Sequence, residues 1–164
     1  MPQKGVLFSG TIDSNIRYGK PEITDAQVKE AAEVAQATEF IDTKPEKYES
    51  PVSQGGTNVS GGQKQRLSIA RAIAKDPEIF IFDDSFSALD FKTDSQLRKA
   101  LKEYTKDATT VIVAQRISTI LGADQIIVLD DGHMAGIGTH KELMANCEVY
   151  QQIARSQLSE EELA

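Results

Sequence analysis

The run Ile79-Phe80-Ile81-Phe82, closed by Asp83-Asp84, constrains the fold of this chain more than any other stretch. Four apolar residues bounded upstream by Pro77 are too short for an ordinary helix and suit a buried strand. Thr109 to Ala114 and Gln125 to Leu129 are candidates of the same kind. Helices are expected between and around them. One starts at Thr24, where Thr24-Asp25-Ala26-Gln27 has the capping-box pattern and Val28, Ala31, Ala32 and Ala35 follow at helical spacing. A second starts at Ser60, carries Leu67, Ala70 and Ala74 on one face, and stops before Pro77. A third carries Leu97, Leu101 and Tyr104; Thr139 to Met144 and Val149 to Gln157 supply two more. Asp131-Gly132 is a hairpin signal, so His133 to Ile137 returns antiparallel. Residues 1 to 20, rich in Gly, Ser and Asn, read as loops and short turns, and residues 42 to 59 as a loop. Apolar strands alternating with helices predict a parallel sheet in an α/β domain.

Composition narrows the function. With 164 residues, 40% of them hydrophobic and 26% charged, the chain can bury a core. Its 18 basic residues against 25 acidic ones give a net charge of −7, which disfavours nucleic acid as a partner, because phosphate contacts need clustered Lys and Arg. Cys147 is the single cysteine, so neither an internal disulfide nor a zinc site built on several cysteines can form, which suits a reducing compartment. No apolar run approaches the roughly 20 residues that span a bilayer, and Met-Pro-Gln-Lys opens no signal peptide. His133 reads as a turn or surface residue, His140 as structural at a helix start, and Cys147 as an inert small hydrophobe.

Two motifs carry chemistry. In Val59-Ser60-Gly61-Gly62-Gln63-Lys64-Gln65-Arg66, Ser60 and Gln63 form a capping box, while Gly61 and Gly62 leave the first backbone N–H groups uncovered. Such a helix start can hold an anion, and the glycines let a phosphate approach the backbone; the same residues also suit a plain capped turn. Downstream, Asp83 and Asp84 follow a buried strand, where ligands of α/β sheets collect. One carboxylate there can hold Mg²⁺ and the next can orient or deprotonate a water, although acids also follow strands without such a role.

In this order the two motifs resemble the nucleotide-binding domain of ABC transporters. Val59 to Gln63 is similar to the family's signature motif, Ile79 to Asp84 to its Walker B strand, and Ser87-Ala88-Leu89-Asp90 to its D-loop. Pro2-Gln3, Gly5 to Ile12 and Asn15 to Gly19 resemble the Q-loop region of exporters of the multidrug and lipid type, and Gly136 to Leu143 their carboxyl-terminal segment. The resemblance implies a P-loop NTPase-like α/β fold, a parallel sheet flanked by helices with the ABC helical subdomain. It also implies a division into a Q-loop region (1–20), a helical signature subdomain (21–76), the carboxyl-terminal part of the RecA-like ATPase core (77–158) and an acidic tail (159–164). The short span from Gln3 to Ser60 leaves no room for the coiled coil of chromosome-maintenance relatives.

The roles implied are ATP and Mg²⁺ binding. Gln3 and Asp83 would support Mg²⁺, with Gln3 also near the γ-phosphate. Ser60, Gly61, Gly62 and Gln63 would face ATP bound to a second nucleotide-binding domain across a head-to-tail dimer, and Asp90 would contact that partner. A transmembrane domain is the other expected partner, with the cassette on the cytoplasmic face of the membrane and Gln54 in the loop that meets the couplers.

Three departures from the family pattern matter. No G-x-x-x-x-G-K-[ST] phosphate loop occurs in these residues, so the chain is expected to be a carboxyl-terminal fragment of the domain, inactive by itself. Asp84 stands where the family has Glu, which retracts the carboxylate by roughly 1.5 Å. Gln115, in Val111-Ile112-Val113-Ala114-Gln115-Arg116, stands where it has His, and a neutral amide cannot shuttle a proton. With the signature intact, the expectation is the degenerate-site half of a heterodimeric exporter; a non-catalytic nucleotide-sensing module, or a soluble ABC ATPase without a transport role, is the alternative.

Overall fold

The structure, a computed structural model, describes residues 1–3 and 5–159; most of the expected acidic tail lies outside the described residues. The chain divides into two compact units, Met1–Val113 and Ala114–Ala164.

The first unit begins with a short strand, β1 (Gly10–Thr11), and a short helix, α1 (Ile12–Ile16). The composition of this region predicts loops and turns, yet Thr11 and Ser14 form a capping box, and Ile12 and Ile16, one helical turn apart, are fully buried. Helix α2 (Asp25–Val34) starts on Thr24 with the expected Thr24/Gln27 box, and α3 (Thr38–Asp42) follows. The expected loop at 42–59 contains one further strand, β2 (Pro51–Val52), antiparallel to β1. Helix α4 (Gly61–Ile73), with six buried residues, is capped by Ser60 and closed by Asp76, whose backbone is left-handed ahead of Pro77. Helices α1 and α2 both pack on α4. Ala31 and Ala32 within α2, Ala35 at its carboxyl-terminal cap, and Ala70 on α4 are essentially inaccessible, and their small side chains permit a close approach.

Strand β3 (Ile79–Asp83) then pairs in parallel with β4 (Thr109–Val113), Ile79 opposite Thr109 and Asp83 opposite Val113, with α5 (Phe91–Tyr104) as the crossover. The parallel pairing and the strand ends are as the pattern predicts, but the burial is one-sided. Phe80 and Phe82 lie in the core, whereas Ile79 and Ile81 are 58% and 55% exposed, and Val111 and Val113 are exposed on β4. Side chains alternate across a strand, and helices of the unit cover only one of its faces.

The second unit is a hairpin with two helices. Strands β5 (Ile126–Asp130) and β6 (His133–Gly138) pair antiparallel around Asp131 and Gly132, both with positive φ, as a two-residue Asp-Gly turn requires. Helix α6 (His140–Asn146) is capped by a Thr139/Glu142 box, and α7 (Glu148–Gln157) follows. Ile117, Ile126, Val128, Leu143, Cys147, Tyr150 and Ala154 form its core. His140 Nδ1 lies 2.8 Å from the Tyr150 hydroxyl, so this histidine ties α6 to α7.

Candidate functional site

The site grows from the amino-terminal turn of α4. Ser60 Oγ accepts the Gln63 N–H at 3.2 Å, and Gln63 Oε1 accepts the Ser60 N–H at 3.1 Å. This exchange satisfies the N–H groups of Ser60 and Gln63. Those of Gly61 and Gly62 have, by helix geometry, no intrahelical partner. Unlike α1, α2, α5, α6 and α7, α4 carries no acidic residue in its first turn, so no carboxylate of its own competes there for an anion.

The segment after β3 packs against this turn. A Cβ added at Gly62 would sit 3.3 Å from the Ala88 carbonyl oxygen, tighter than an ordinary contact, whereas at Gly61 the nearest atom would be the Ala88 Cβ at 4.0 Å. Gln65, one turn into α4 and only 5% exposed, accepts the Ala88 N–H on its Oε1 at 3.1 Å. The segment ends at Asp90, the N-cap of α5, whose carboxylate accepts the Thr93 N–H at 3.0 Å and the Thr93 hydroxyl at 2.7 Å. These hydrogen bonds, the backbone one foremost, hold the Asp90 carboxyl below its usual range.

Asp83 ends β3, and the Asp84 N–H donates to the Val113 carbonyl at 2.9 Å. Asp84 has φ +43°, a left-handed conformation that Asp tolerates better than longer side chains. Its Oδ2 accepts the Gln3 amide N–H at 3.2 Å, which brings together two residues 81 positions apart. Of the residues singled out from the sequence, the first unit thus joins Gln3 to Asp84, beside Asp83, and joins Ser60, Gly61, Gly62 and Gln63 to the segment leading to Asp90. Gln115 belongs to the second unit; it is exposed, and its carbonyl accepts the Gln157 amide N–H at 2.9 Å. Gln54 is exposed and accepts the Ser9 N–H at 3.2 Å.

Two polar nodes of this unit have no counterpart in the motif reading. One is Gln65. The other is Asn15 with Arg71. Asn15, 1% exposed, accepts the Phe8 N–H and donates to the Phe8 and Thr11 carbonyls, each at 2.9 Å. Arg71 of α4 donates to the Asn15 side-chain oxygen at 2.8 Å and to the carbonyls of Asn15 and Val6, both at 2.7 Å. Its guanidinium also lies 5.3 Å from the Phe8 ring and 5.5 Å from that of Tyr18, rings that stack at 4.1 Å. Burial lowers the Arg71 pKa, but guanidinium remains charged near neutral pH. An asparagine inside a Gly- and Ser-rich stretch was the available signal; its partner 56 residues on was not.

The donor set fits a phosphate and a hard cation. Two uncovered N–H groups at a helix start suit a phosphate oxygen, and the Asp83 carboxylate with the Gln3 side chain suits Mg²⁺, which takes few protein ligands beside phosphate oxygens and water. Among the described residues, no cluster of three or more His, Cys, Asp or Glu could cage a metal by itself.

Comparison with known proteins places these features in context. The family model described as ABC transporter matches residues 1–87. A Mycobacterium bovis protein described as an uncharacterized ABC transporter ATP-binding protein is 47% identical over 160 residues, 96% of this chain and 27% of that protein. A putative multidrug export ATP-binding/permease protein of Staphylococcus aureus is 46% identical over 151 residues, 92% of this chain and 26% of that protein. The solved structure of a bacterial Atm1-family ABC exporter with ATP bound superposes with a TM-score of 0.92 at 38% identity, over 97% of this chain and 28% of that one. The chain spans about a quarter of the length of the relatives it matches.

Proposed function

The chain belongs to the ABC transporter family, and on that premise we propose that it forms the signature-bearing part of the ATP-binding cassette of an exporter, where it couples ATP binding and hydrolysis to transport across the membrane. The observation that carries this reading is the α4 start, where the Ser60/Gln63 box leaves the Gly61 and Gly62 N–H groups to an outside acceptor. In a head-to-tail pairing with a second nucleotide-binding domain, these groups hold the γ-phosphate of the partner's ATP, and Asp90 meets the partner. Gln3 and Asp83 would hold Mg²⁺, which when bound would supply charge withdrawal from a phosphoryl group. The cassette works on the cytoplasmic face of the membrane, against a transmembrane domain. Among the described residues no helix is long and apolar enough to cross the membrane itself.

The chain's own hydrolytic positions are degenerate. Asp84 is one methylene short for orienting water, and its αL backbone and its hydrogen bond to Gln3 keep the carboxylate close to the end of β3. A misplacement of about 1 Å costs on the order of 10²-fold in rate. Gln115 donates a hydrogen bond but cannot take up a proton. An intact signature beside weakened hydrolytic residues belongs in the degenerate-site half of a heterodimer, and the 164 residues alone do not turn over ATP.

The test uses the full-length polypeptide together with its partner subunit. Gly61→Asp, which places a carboxylate where the phosphate binds, is expected to abolish most of the ATP turnover. Asp84→Glu combined with Gln115→His is expected to raise turnover on the order of tenfold or more by restoring an acid of full reach and a titratable ring. A full-length protein that is fully active as a symmetric homodimer refutes the heterodimer reading.

A further inference from the structure

We propose that Gln65 is a positioning residue that locks the segment Ser85–Asp90 onto the first turn of α4, so that the phosphate-facing groups at Ser60–Gly62 and the acid Asp84 move as one body. The inference rests on the reading of Ser60–Gly62 as the contact with a partner's nucleotide.

A glutamine side chain that is 5% exposed, in a helix whose buried residues otherwise are Leu67, Ile69, Ala70, Ile73 and a Ser68 bonded within the helix, needs a polar partner. Its Oε1 has one, the Ala88 N–H at 3.1 Å, 23 residues away. Around that bond the segment is fixed at both ends. Asp84 is held by its N–H to Val113 at 2.9 Å and by the Ser87 hydroxyl, which donates to the Asp84 carbonyl at 3.1 Å. Asp90 is held as the cap of α5. The middle, Ala88, is itself exposed between the buried Phe86 and Leu89, and two contacts join it to α4, the Gln65 bond and the close approach of its carbonyl to Gly62. Glycine at 62 lets the backbone come near, and Gln65 supplies the attraction that keeps it there. With Gln65 in place, a shift of the Ser60 turn on meeting a phosphate is passed to Ala88, and from Ala88 through Ser87 to the backbone of Asp84. Without it, water takes over the Ala88 N–H and the two sites move independently.

The test again uses the full-length protein with its partner subunit, and reads hydrogen exchange at the Ala88 amide alongside ATP kinetics. Gln65→Asn pulls the acceptor back by roughly 1.5 Å, out of bonding range. Loss of one hydrogen bond of typical strength is expected to speed exchange at Ala88 about fivefold. The kcat is expected to fall about tenfold with KM unchanged, because the Ser60–Gly62 turn loses its support against the phosphate transferred at the partner's site while nucleotide affinity is kept. Gln65→Glu keeps an acceptor at full reach and is expected to restore both readings. If Gln65→Asn does not fold, Gln65→Met fills the same volume without the amide oxygen and is judged by the same readings. Faster exchange at Ala88 with unchanged kcat overturns the inference, as does unchanged exchange. Loss of turnover in Gly61→Asp while Gln65→Asn keeps its kcat overturns this inference alone; intact turnover in Gly61→Asp overturns the functional reading on which it rests.

Discussion

Replacing Asn15 by alanine tests whether the buried polar node beneath Phe8 and Tyr18 fixes the loop before α1 to helix α4. The side chain makes four hydrogen bonds, to the Phe8 N–H, the Phe8 and Thr11 carbonyls and Arg71. After truncation the Thr11 carbonyl keeps a bond from the Ser14 hydroxyl, and Arg71 keeps its bonds to the carbonyls of Val6 and residue 15. The two Phe8 groups and one Arg71 N–H lose their partner in a place where Asn15 is 1% exposed. At about 1 kcal/mol for each net bond, and up to about 3 kcal/mol for a buried group left bare, Asn15→Ala is expected to destabilise the folded cassette by about 3 kcal/mol. With a urea slope on the order of 1.5 kcal/mol per molar, the midpoint falls by about 2 M. Asn15→Asp serves as the control. It keeps the acceptor for Phe8 and Arg71 but loses both donated bonds, so its midpoint lies between those of the wild type and the alanine variant. Urea unfolding followed by circular dichroism on the full-length cassette decides. A shift below about 1 kcal/mol, or an aspartate variant worse than alanine, refutes the idea that these bonds hold the loop.

The two glycines at the start of α4 are expected to respond unequally to alanine. Gly61→Ala meets only the Ala88 Cβ at 4.0 Å and gains helix propensity, stabilising by up to about 1 kcal/mol. Gly62→Ala gains the same propensity but sets a Cβ 3.3 Å from the Ala88 carbonyl, so thermal melting is expected to rank it below Gly61→Ala by about 1 kcal/mol. Asp90 has a carboxyl pKa lowered in the folded state by its bonds to Thr93, so its contribution is complete above the ordinary carboxylate pKa and is lost as pH falls through the lower folded value. Denaturation midpoints measured from pH 6 down to pH 3 are therefore expected to fall less steeply in Asp90→Asn, which keeps a capping oxygen without a charge, than in the wild type.

The parts of the fold that could be read in advance are those decided within a few residues. The Thr24/Gln27 and Ser60/Gln63 boxes form as the spacing predicts, because donor and acceptor lie three residues apart and need nothing else. The Asp131-Gly132 turn forms because its left-handed backbone is a local property. Strand β3 has its predicted extent, yet its two faces differ, since the exposure of Ile79 and Ile81 depends on what packs across the pair and not on the residues themselves. Helix α1 is hidden by its Gly, Ser and Asn content; the signal against a loop was the pair Ile12 and Ile16, stacked one turn apart over a Thr11 cap. The contacts of Asn15 with Arg71, Gln3 with Asp84 and Gln65 with Ala88 cross 56, 81 and 23 residues, and no periodicity encodes them.

These long-range contacts give α4 its place in the design of the unit. The helix has 13 residues and so extends about 20 Å. At its start Ser60 and the two glycines face outward; one turn further Gln65 reaches the segment that follows the acids; near its end Arg71 grips Val6 in the loop ahead of β1 and Asn15 in α1. Gln65 and Arg71 are six residues apart, which at 3.6 residues per turn sets them on different faces of the cylinder. Two segments that are far apart in sequence are therefore tied to one element that neither shortens nor bends easily. A hydrogen-bonded loop fixed to another loop would let displacement dissipate in backbone torsions. Fixed to a buried helix, whose core face of Leu67, Ile69, Ala70 and Ile73 is inaccessible, displacement at one tie must shift the others or break their bonds. The cost of breaking them, on the order of 1 kcal/mol per neutral bond and more for the Arg71 guanidinium, is what makes the second course unfavourable.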